Sequence, residues 1–472
     1  MPEGRFRPLR RGGGDYRRSL GTAIILAGGM ALPAAADELS DVKSQLQDLT
    51  VRLRQLETQQ RQQQQQIEAK PPAAAPVSAE SVLDMFKGSF PKSFKIPGTD
   101  TSLRIGGYVK ADAIYDVNAA QGDQISPTTI PLAGTSAAQR QGSARLHARQ
   151  SRFNLESQTP TEYGSLRTFV EGDFFGGGGT EFSSNSTTFR LRHAYGELGP
   201  LLAGQTWSNF IDQATYPETL DFNGPAGQLF IRQGQLRFTQ SVWPGATFSV
   251  SAENPEGDFF ASPASAANNA NVNAGAGGTT GNNLDPIPDF TARLTMKNEW
   301  GQFTFSSLAR EIQANVAAGP FTGRHGSAFG YGLSAQGIVN TRFGKDKIYY
   351  EVSGGSGIGR YLQDAVGNAA NFNAATGKLG SETAFGAYGA YEHWWLDNLR
   401  STVVYGHDEL SNNVAITGTS ANRSIDTAHA NLIWSPVPNT NLGIEYIYAQ
   451  RETEAKSRGE LNRIQASAQF NF

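Results

Sequence analysis

The chain contains no cysteine, no uninterrupted apolar run of the length a membrane helix requires, and no long block of basic residues. Without cysteine there is neither a disulfide framework nor a thiolate ligand for zinc, an absence compatible with an exported protein that folds without disulfides. Apolar runs shorter than roughly 18 residues exclude a polytopic helical membrane protein. Forty Lys plus Arg against 43 Asp plus Glu give a net charge of −3, so bulk electrostatics argue against a nucleic-acid binder. Catalytic signatures are missing as well. The six histidines (His147, His193, His325, His393, His407 and His429) are scattered without HExxH spacing, and there is no GxSxG elbow or P-loop. Gly355-Ser356-Gly357-Ile358-Gly359 approaches a dinucleotide fingerprint but lacks its last glycine and any βαβ context, and reads as the loop end of a strand. The sequence predicts no enzyme, no metal and no cofactor. These absences leave open a closed β-barrel, whose alternating segments average as hydrophilic; the chain is 38% hydrophobic, with 53 Gly among 472 residues.

Residues 1–18 carry six Arg and two acidic residues, followed by a moderately apolar stretch from Leu20 to Leu32 and the small-residue pattern Ala34-Ala35-Ala36. This predicts a signal peptide over 1–36, whose removal leaves a mature charge of −7. Leu39, Val42, Leu46, Leu49, Leu53, Leu56, Gln60, Gln63 and Ile67 then alternate three and four apart, the seam of an α-helical coiled coil over 37–70. Its other faces are polar, so it is expected to self-associate. Lys70-Pro71-Pro72-Ala73-Ala74-Ala75-Pro76 stops the helix and opens a Pro/Ala-rich linker and lead-in over 71–100.

From residue 101 the period changes to two. Leu103, Ile105, Val109, Ala111, Ala113, Tyr115 and Val117 share one parity; Arg104, Tyr108, Lys110, Asp112 and Asp116 share the other. Sixteen such segments follow one another between 101–117 and 459–472. Their connections sort strictly into short turns (such as Gly199-Pro200, Trp300-Gly301 and Leu396-Asp397-Asn398) and long polar loops (such as 118–142, 208–227, 255–287 and 356–380). A sandwich has no reason to collect every tight turn at one end, whereas an up-and-down outer-membrane barrel does. The expected fold is therefore all-β: a 16-stranded antiparallel transmembrane β-barrel over 101–472, preceded by the coiled coil. Five of six Trp (Trp243, Trp300, Trp394, Trp395 and Trp434) flank short turns, where an interfacial girdle belongs, and the chain ends on Phe470-Asn471-Phe472. Such terminal strands resemble those read by the barrel assembly machinery.

Sixteen strands enclose an aqueous channel, so transport is the expected work. Parity points Arg104, Lys110, Arg152, Arg167, Arg190, Arg192, Arg293, Lys297, Arg310 and Arg463 inward, together with Asp112, Asp116, Glu156, Glu171, Asp173, Glu351, Glu392 and Glu445. The basic residues group on strands two to four and eight to nine. Arg recognises carboxylates bidentately, which suggests a stripe favouring small anionic solutes; the alternative is that these arginines pair with neighbouring carboxylates in a general pore. Thr206 to Asn223, with Trp207, Phe210, Tyr216 and Phe222, is the candidate for a loop folding inward.

The run from Phe94 to Lys110, FKIPGTDTSLRIGGYVK, after an exported coiled coil and a Pro/Ala linker, resembles the DcaP-type trimeric outer-membrane porins. The resemblance implies a homotrimer of sixteen-stranded barrels in a Gram-negative outer membrane, with a periplasmic N-terminal coiled coil and uptake of small organic anions such as dicarboxylates. Outer-membrane lipid and lipopolysaccharide would then be its surroundings. Only Arg104 and Lys110 lie in the matching run, and the glycine-rich insert at 261–283 has no counterpart in the pattern. Two other classes are tested below: a lipase-type barrel, for which His429 is the mid-strand candidate, and a barrel-anchored periplasmic tether.

Overall fold

The computed structural model describes residues 35–68, 86–262, 286–315, 325–365, 368–373 and 378–472. Nearly all of the expected signal peptide, the Pro/Ala spacer and most of the glycine-rich insert lie outside the described residues. The chain divides into two units, Met1–Glu80 and Ser81–Phe472. The first holds one α-helix, Ala35–Glu68, 34 residues and so about 50 Å long. Its leucines Leu46, Leu49, Leu53 and Leu56 are bare, 57–63% exposed. The helix is thus present, and its apolar stripe has no partner within the single chain's described residues.

The second unit is a closed antiparallel barrel. Its strands are β1 (Ser102–Asp116), β2 in two pieces (Ser143–His147 and Arg152–Thr161), β3 (Gly164–Gly176), β4 (Thr188–Leu198) and β5 (Leu201–Trp207). The next six are β6 (Arg232–Trp243), β7 (Ala246–Glu253), β8 (Asp289–Asn298), β9 (Gly301–Asn315), β10 (His325–Asn340) and β11 (Lys347–Ser356). The last five are β12 (Thr383–Leu396), β13 (Leu399–Ser411), β14 (Asn422–Trp434), β15 (Thr440–Thr453) and β16 (Arg458–Asn471). Each pairs with the next, and β16 returns to β1 from Tyr108↔Asn471 to Asp116↔Arg463, which removes the free edges of an open sheet. Below that junction β1 would show a bare edge. Phe94–Lys95 covers it by pairing with Leu103 and Ser102, so the described end of the lead-in is a hairpin partner of the first strand.

The alternation predicted from sequence is the alternation of burial. Val403, Leu333, Phe305 and Ile444 are 50–65% exposed on the outer face, where lipid replaces water, while their neighbours turn inward. Short turns are tight enough to demand glycine: at Gly301 φ is +145° and an added Cβ would sit 1.9 Å from the Ile338 carbonyl oxygen. Trp243, Trp300, Trp395 and Trp434 are exposed near these turns as a girdle requires. Trp394 departs from the expected girdle. It has the inward parity, donates its indole N–H to Glu392 (2.8 Å) and lies against the Arg400 guanidinium. The second strand, expected to be continuous, is interrupted at 148–151, where Ser151 caps the Lys110 backbone N–H instead of continuing the ladder.

Beyond the outer ends of the strands, Phe259–Ser262, Ala370–Asn373 and Lys378–Ser381 form a small separate sheet. Phe259, Phe372 and Leu379 pack there against Ile312 at the end of β9. The first long loop folds inward as well: Ala119, Ile125 and Ile130 cover Ile447, Ala449 and Leu461, which explains apolar residues at inward positions of β15 and β16.

Candidate functional site: the channel lining

The loop that follows β5 leaves the wall at Trp207, crosses the channel and rejoins at Arg232. Its polar backbone groups need partners inside the barrel, and the inner face supplies them strand by strand. Asn209 N–H donates to Glu253 on β7 (2.7 Å), Arg293 on β8 donates to the Ile211 carbonyl (2.7 Å), and Asp212 N–H donates to Gln336 on β10 (2.7 Å). The Asp212 carboxylate accepts from Gln302 and Thr304 on β9. Tyr388 on β12 donates to the Thr215 carbonyl (3.1 Å), and Arg400 on β13 clamps Glu218 with two bonds of 2.6 Å. Glu445 on β15 accepts from the Leu220 and Asp221 N–H groups, while Lys110 on β1 and Gln465 on β16 donate to the Leu220 carbonyl.

The loop then doubles back. Gly227, at φ +77°, lies so close to β13 that a Cβ would sit 2.2 Å from the His407 carbonyl. Leu229 N–H meets Glu351 (2.7 Å), and Phe230 N–H meets the Tyr361 carbonyl (2.9 Å) of a second inward strap that follows β11. Phe210, Leu229, Tyr361 and Leu362 pack with Leu308, Ala384 and Leu410 of the wall into a buried apolar cluster. Together with the first long loop, these two cover most of the inner face of β7 to β16 and part of β1, leaving the turn end of β8 open. The predicted inward stretch, Thr206–Asn223, is the first half of this arrangement; the strap after β11 was not foreseen. Gly355 to Gly359 is where that strap leaves β11, in keeping with its reading as a strand's loop end.

The opposite wall, β2 to β6, stays uncovered, and it carries the arginines. Asp173 on β3 accepts two bonds from Arg190 (2.9 and 2.8 Å) and one from Arg192 (2.7 Å), which also reaches Glu171 (2.9 Å). A bulge makes this possible: Glu171 pairs with His193 but Gly172 pairs with Leu191, so Arg192 is the extra residue and turns inward beside His193. Arg167 bridges Glu156 and Glu197, 2.7 Å each, and Arg104 meets Glu156 from β1. Arg152 lies over the Tyr108 ring, 3.8 Å from Glu171. The loop presents Phe222 to this wall; Arg190 and Arg192 stand 5.3 and 5.6 Å from its ring centre.

Of the residues predicted to face the channel, the structure keeps Arg104, Arg167 and Arg190 open, with side chains 30–33% exposed. Lys110, Arg310 and Arg463 point inward too, yet their side chains are 0–4% exposed beneath the inward loops, and on the wall of β2 to β6 Arg192 is just as buried, 1% exposed against Glu171, Asp173 and Phe222, with Arg152 at 19%. Lys110 is held by Asp112 and Gln150, Arg310 by Asp258 and Asp289, and Arg463 by Asp116. Lys297 lies exposed near the turn end of β8, away from both groups. Three cations of the uncovered wall were missed, one of them Arg145, which has inward parity on the first piece of β2 and is 35% exposed. Arg237 shares inward parity with Gln233 and Gln235 and could have been found; Arg232 lies over the Trp207 ring (4.8 Å), at a strand end where the chain leaves the parity rule. Seven arginines on β2 to β6 (Arg145, Arg152, Arg167, Arg190, Arg192, Arg232 and Arg237) thus face four carboxylates of the same strands (Glu156, Glu171, Asp173 and Glu197); Arg145 meets Asp123 and Glu181 of the loops at 3.7 Å, and Arg232 and Arg237 have no ion pair among the described residues.

His429, the candidate for a lipid-facing catalytic histidine, is inward, 2% exposed, with Nδ1 3.2 Å from Glu445. Among the described residues no cluster of His, Cys, Asp and Glu could hold a metal ion.

A family model described as DcaP outer membrane protein matches residues 81–472. The chain belongs to the DcaP outer membrane protein family. Its barrel is similar to the crystal structure of the outer membrane channel DcaP of Acinetobacter baumannii, with TM-score 0.67 and 23% identity over 80% of this chain and 99% of that one. It also resembles the fold of an anion-selective porin from Comamonas acidovorans, with TM-score 0.50 and 10% identity over 79% of this chain and 100% of that one. Comparison with curated proteins finds no match. Membership of the DcaP family and the closed barrel make this protein an outer-membrane channel of the porin type. The matched region begins ahead of β1 and so includes the hairpin at Phe94–Lys95.

Proposed function

We propose that this DcaP-family barrel mediates passive diffusion of small hydrophilic solutes and favours organic anions, dicarboxylates among them. The observation that carries this reading is the uncovered wall, where the arginines of β2 to β6 outnumber the carboxylates of those strands seven to four in a water-filled, low-dielectric-walled channel. A field of that sign raises the local concentration of anions, and the planar guanidinium matches a carboxylate bidentately. The zero-current potential of single channels in a KCl gradient tests it: anion preference is expected, and clear cation preference overturns it. Equal permeability would favour the general porin.

The same reading places the protein as a homotrimer in a Gram-negative outer membrane, exported by cleavage after Ala36 and inserted by the barrel assembly machinery. Lipopolysaccharide then surrounds its outer rim, and the N-terminal helix forms a periplasmic coiled coil through the bare Leu46–Leu49–Leu53–Leu56 stripe. Deleting residues 37–70 separates a channel from a cell-wall tether, because a channel retains its conductance. The mass of the truncated protein in detergent reports whether the helix is needed for the trimer.

A further inference from the structure

At the turn end of the uncovered wall, below the Phe222 contact, lies a cavity of about 610 Å³. It is lined by Arg167, Glu197, Leu202, Arg237 and Arg293, and is floored by the Gly199-Pro200 turn. Three guanidiniums meet one carboxylate here, and that carboxylate is already held by Arg167 at 2.7 Å. Arg237 has no hydrogen bond or ion pair among the described residues, and Arg293 donates a single bond, to the Ile211 carbonyl. Each guanidinium carries five N–H donors, so most of those on Arg237 and Arg293 are left for a ligand. Two like charges without an ion pair on one cavity repel each other, a cost that an anion between them lowers. Leu202, 5% exposed, adds an apolar flank. Asp173, which gathers Arg190 and Arg192, lies six residues further along β3 from Arg167, about 20 Å at the usual strand rise.

We propose that this cavity is a second anion site at the periplasmic exit, in which Arg237 and Arg293 hold the carboxylate of a short organic acid and Leu202 contacts its carbon chain. The site rests on the anion preference proposed above and deepens it. A solute held first beside the exposed Arg190 is passed to Arg237 and Arg293 before release, and two weak sites in series let an anion enter without trapping it.

The test uses the full-length protein in planar bilayers, with channel orientation scored by side-specific proteolysis of the outer loops. Succinate is added to one side at a time, and its association rate is read from current noise. Arg237→Gln, which orphans no partner, is expected to lower the association rate from the periplasmic side about three- to tenfold, and more than from the outer side. Arg237→Lys is expected to restore most of the loss, since it keeps the charge. No change, or an equal change from both sides, overturns the exit site. If instead the wild-type channel prefers cations, it is the anion reading itself that fails, and the zero-current potential shows this independently of the succinate measurement.

Discussion

Two halves of one barrel wall use the same residue types for opposite ends. On β2 to β6, Arg167 and Arg190 keep side chains about one-third exposed to the channel; on β9, β16 and the upper part of β1, Arg310, Arg463 and Lys110 are buried. The difference is the presence of the inward loops. Where a loop lies on the wall, inward charges become anchors for backbone groups or carboxylates, and their desolvation is offset by hydrogen bonds and ion pairs. Where none lies, Arg104, Arg167 and Arg190 stay partly hydrated and set the field of the channel, while Arg192 is buried by its own ion pairs and Phe222. A list of inward-facing arginines therefore overstates the functional set until the loops are placed.

The contrast is most open to attack at Arg190. Replacing it with Gln removes a positive charge whose side chain is 32% exposed and takes from Asp173 two of its three guanidinium hydrogen bonds. The expected outcome is a shift of the zero-current potential towards cation preference in a KCl gradient, with Arg190→Lys keeping the wild-type value. On the sealed side, Glu445→Gln strikes the acceptor shared by Leu220, Asp221, His429 and Asn431. A buried charge-assisted acceptor of this kind is worth about 2–3 kcal/mol. The apparent unfolding midpoint in detergent should drop by several degrees, and open-channel noise should rise as the loop loosens. Lys110→Gln sharpens the comparison: it should lower the unfolding midpoint but leave the zero-current potential unaltered, because the ammonium is already neutralised by Asp112.

The smallest effect belongs to Asp364 in the strap after β11, where burial, with the Asp221 carboxylate nearby, pushes the carboxyl up to about 7. A raised folded-state value means the folded protein binds the proton more tightly than the unfolded one. Stability is therefore fully kept below about pH 4 and declines as pH rises towards about 7. Asp364→Asn should raise the unfolding midpoint by ~2 °C at pH 8 and leave it unchanged at pH 4, measured by tryptophan fluorescence.

Much of the barrel was legible because its period is strict. Leu103 to Val117 and Leu442 to Tyr448 carry their facing on alternate letters, and a strand with lipid on one side and water on the other has no freedom to slip register. The turn ends announced themselves through Gly199-Pro200 and Trp300-Gly301. Trp394 was misplaced because proximity to a turn says nothing about which face a side chain takes. Arg232 and Trp207 escaped the parity rule because they sit where a strand dissolves into a loop. The bulge at Arg192 could not be read either: Arg190 and Arg192 share a parity with each other but not with His193, and only the shift in pairing against Glu171 and Gly172 turns all three inward.

Sequence by itself therefore determined the strand count, the inner and outer faces and the sidedness of the loops, because each is a property of local alternation and chain punctuation. Which inward charges reach the channel was decided only by tertiary structure. Glu218 and Arg400, or Leu220 and Glu445, are about two hundred residues apart in the chain and meet because the loop after β5 satisfies its backbone groups on the far wall. No periodicity records that choice, since it depends on hydrogen-bond partners that come together only once the barrel has closed.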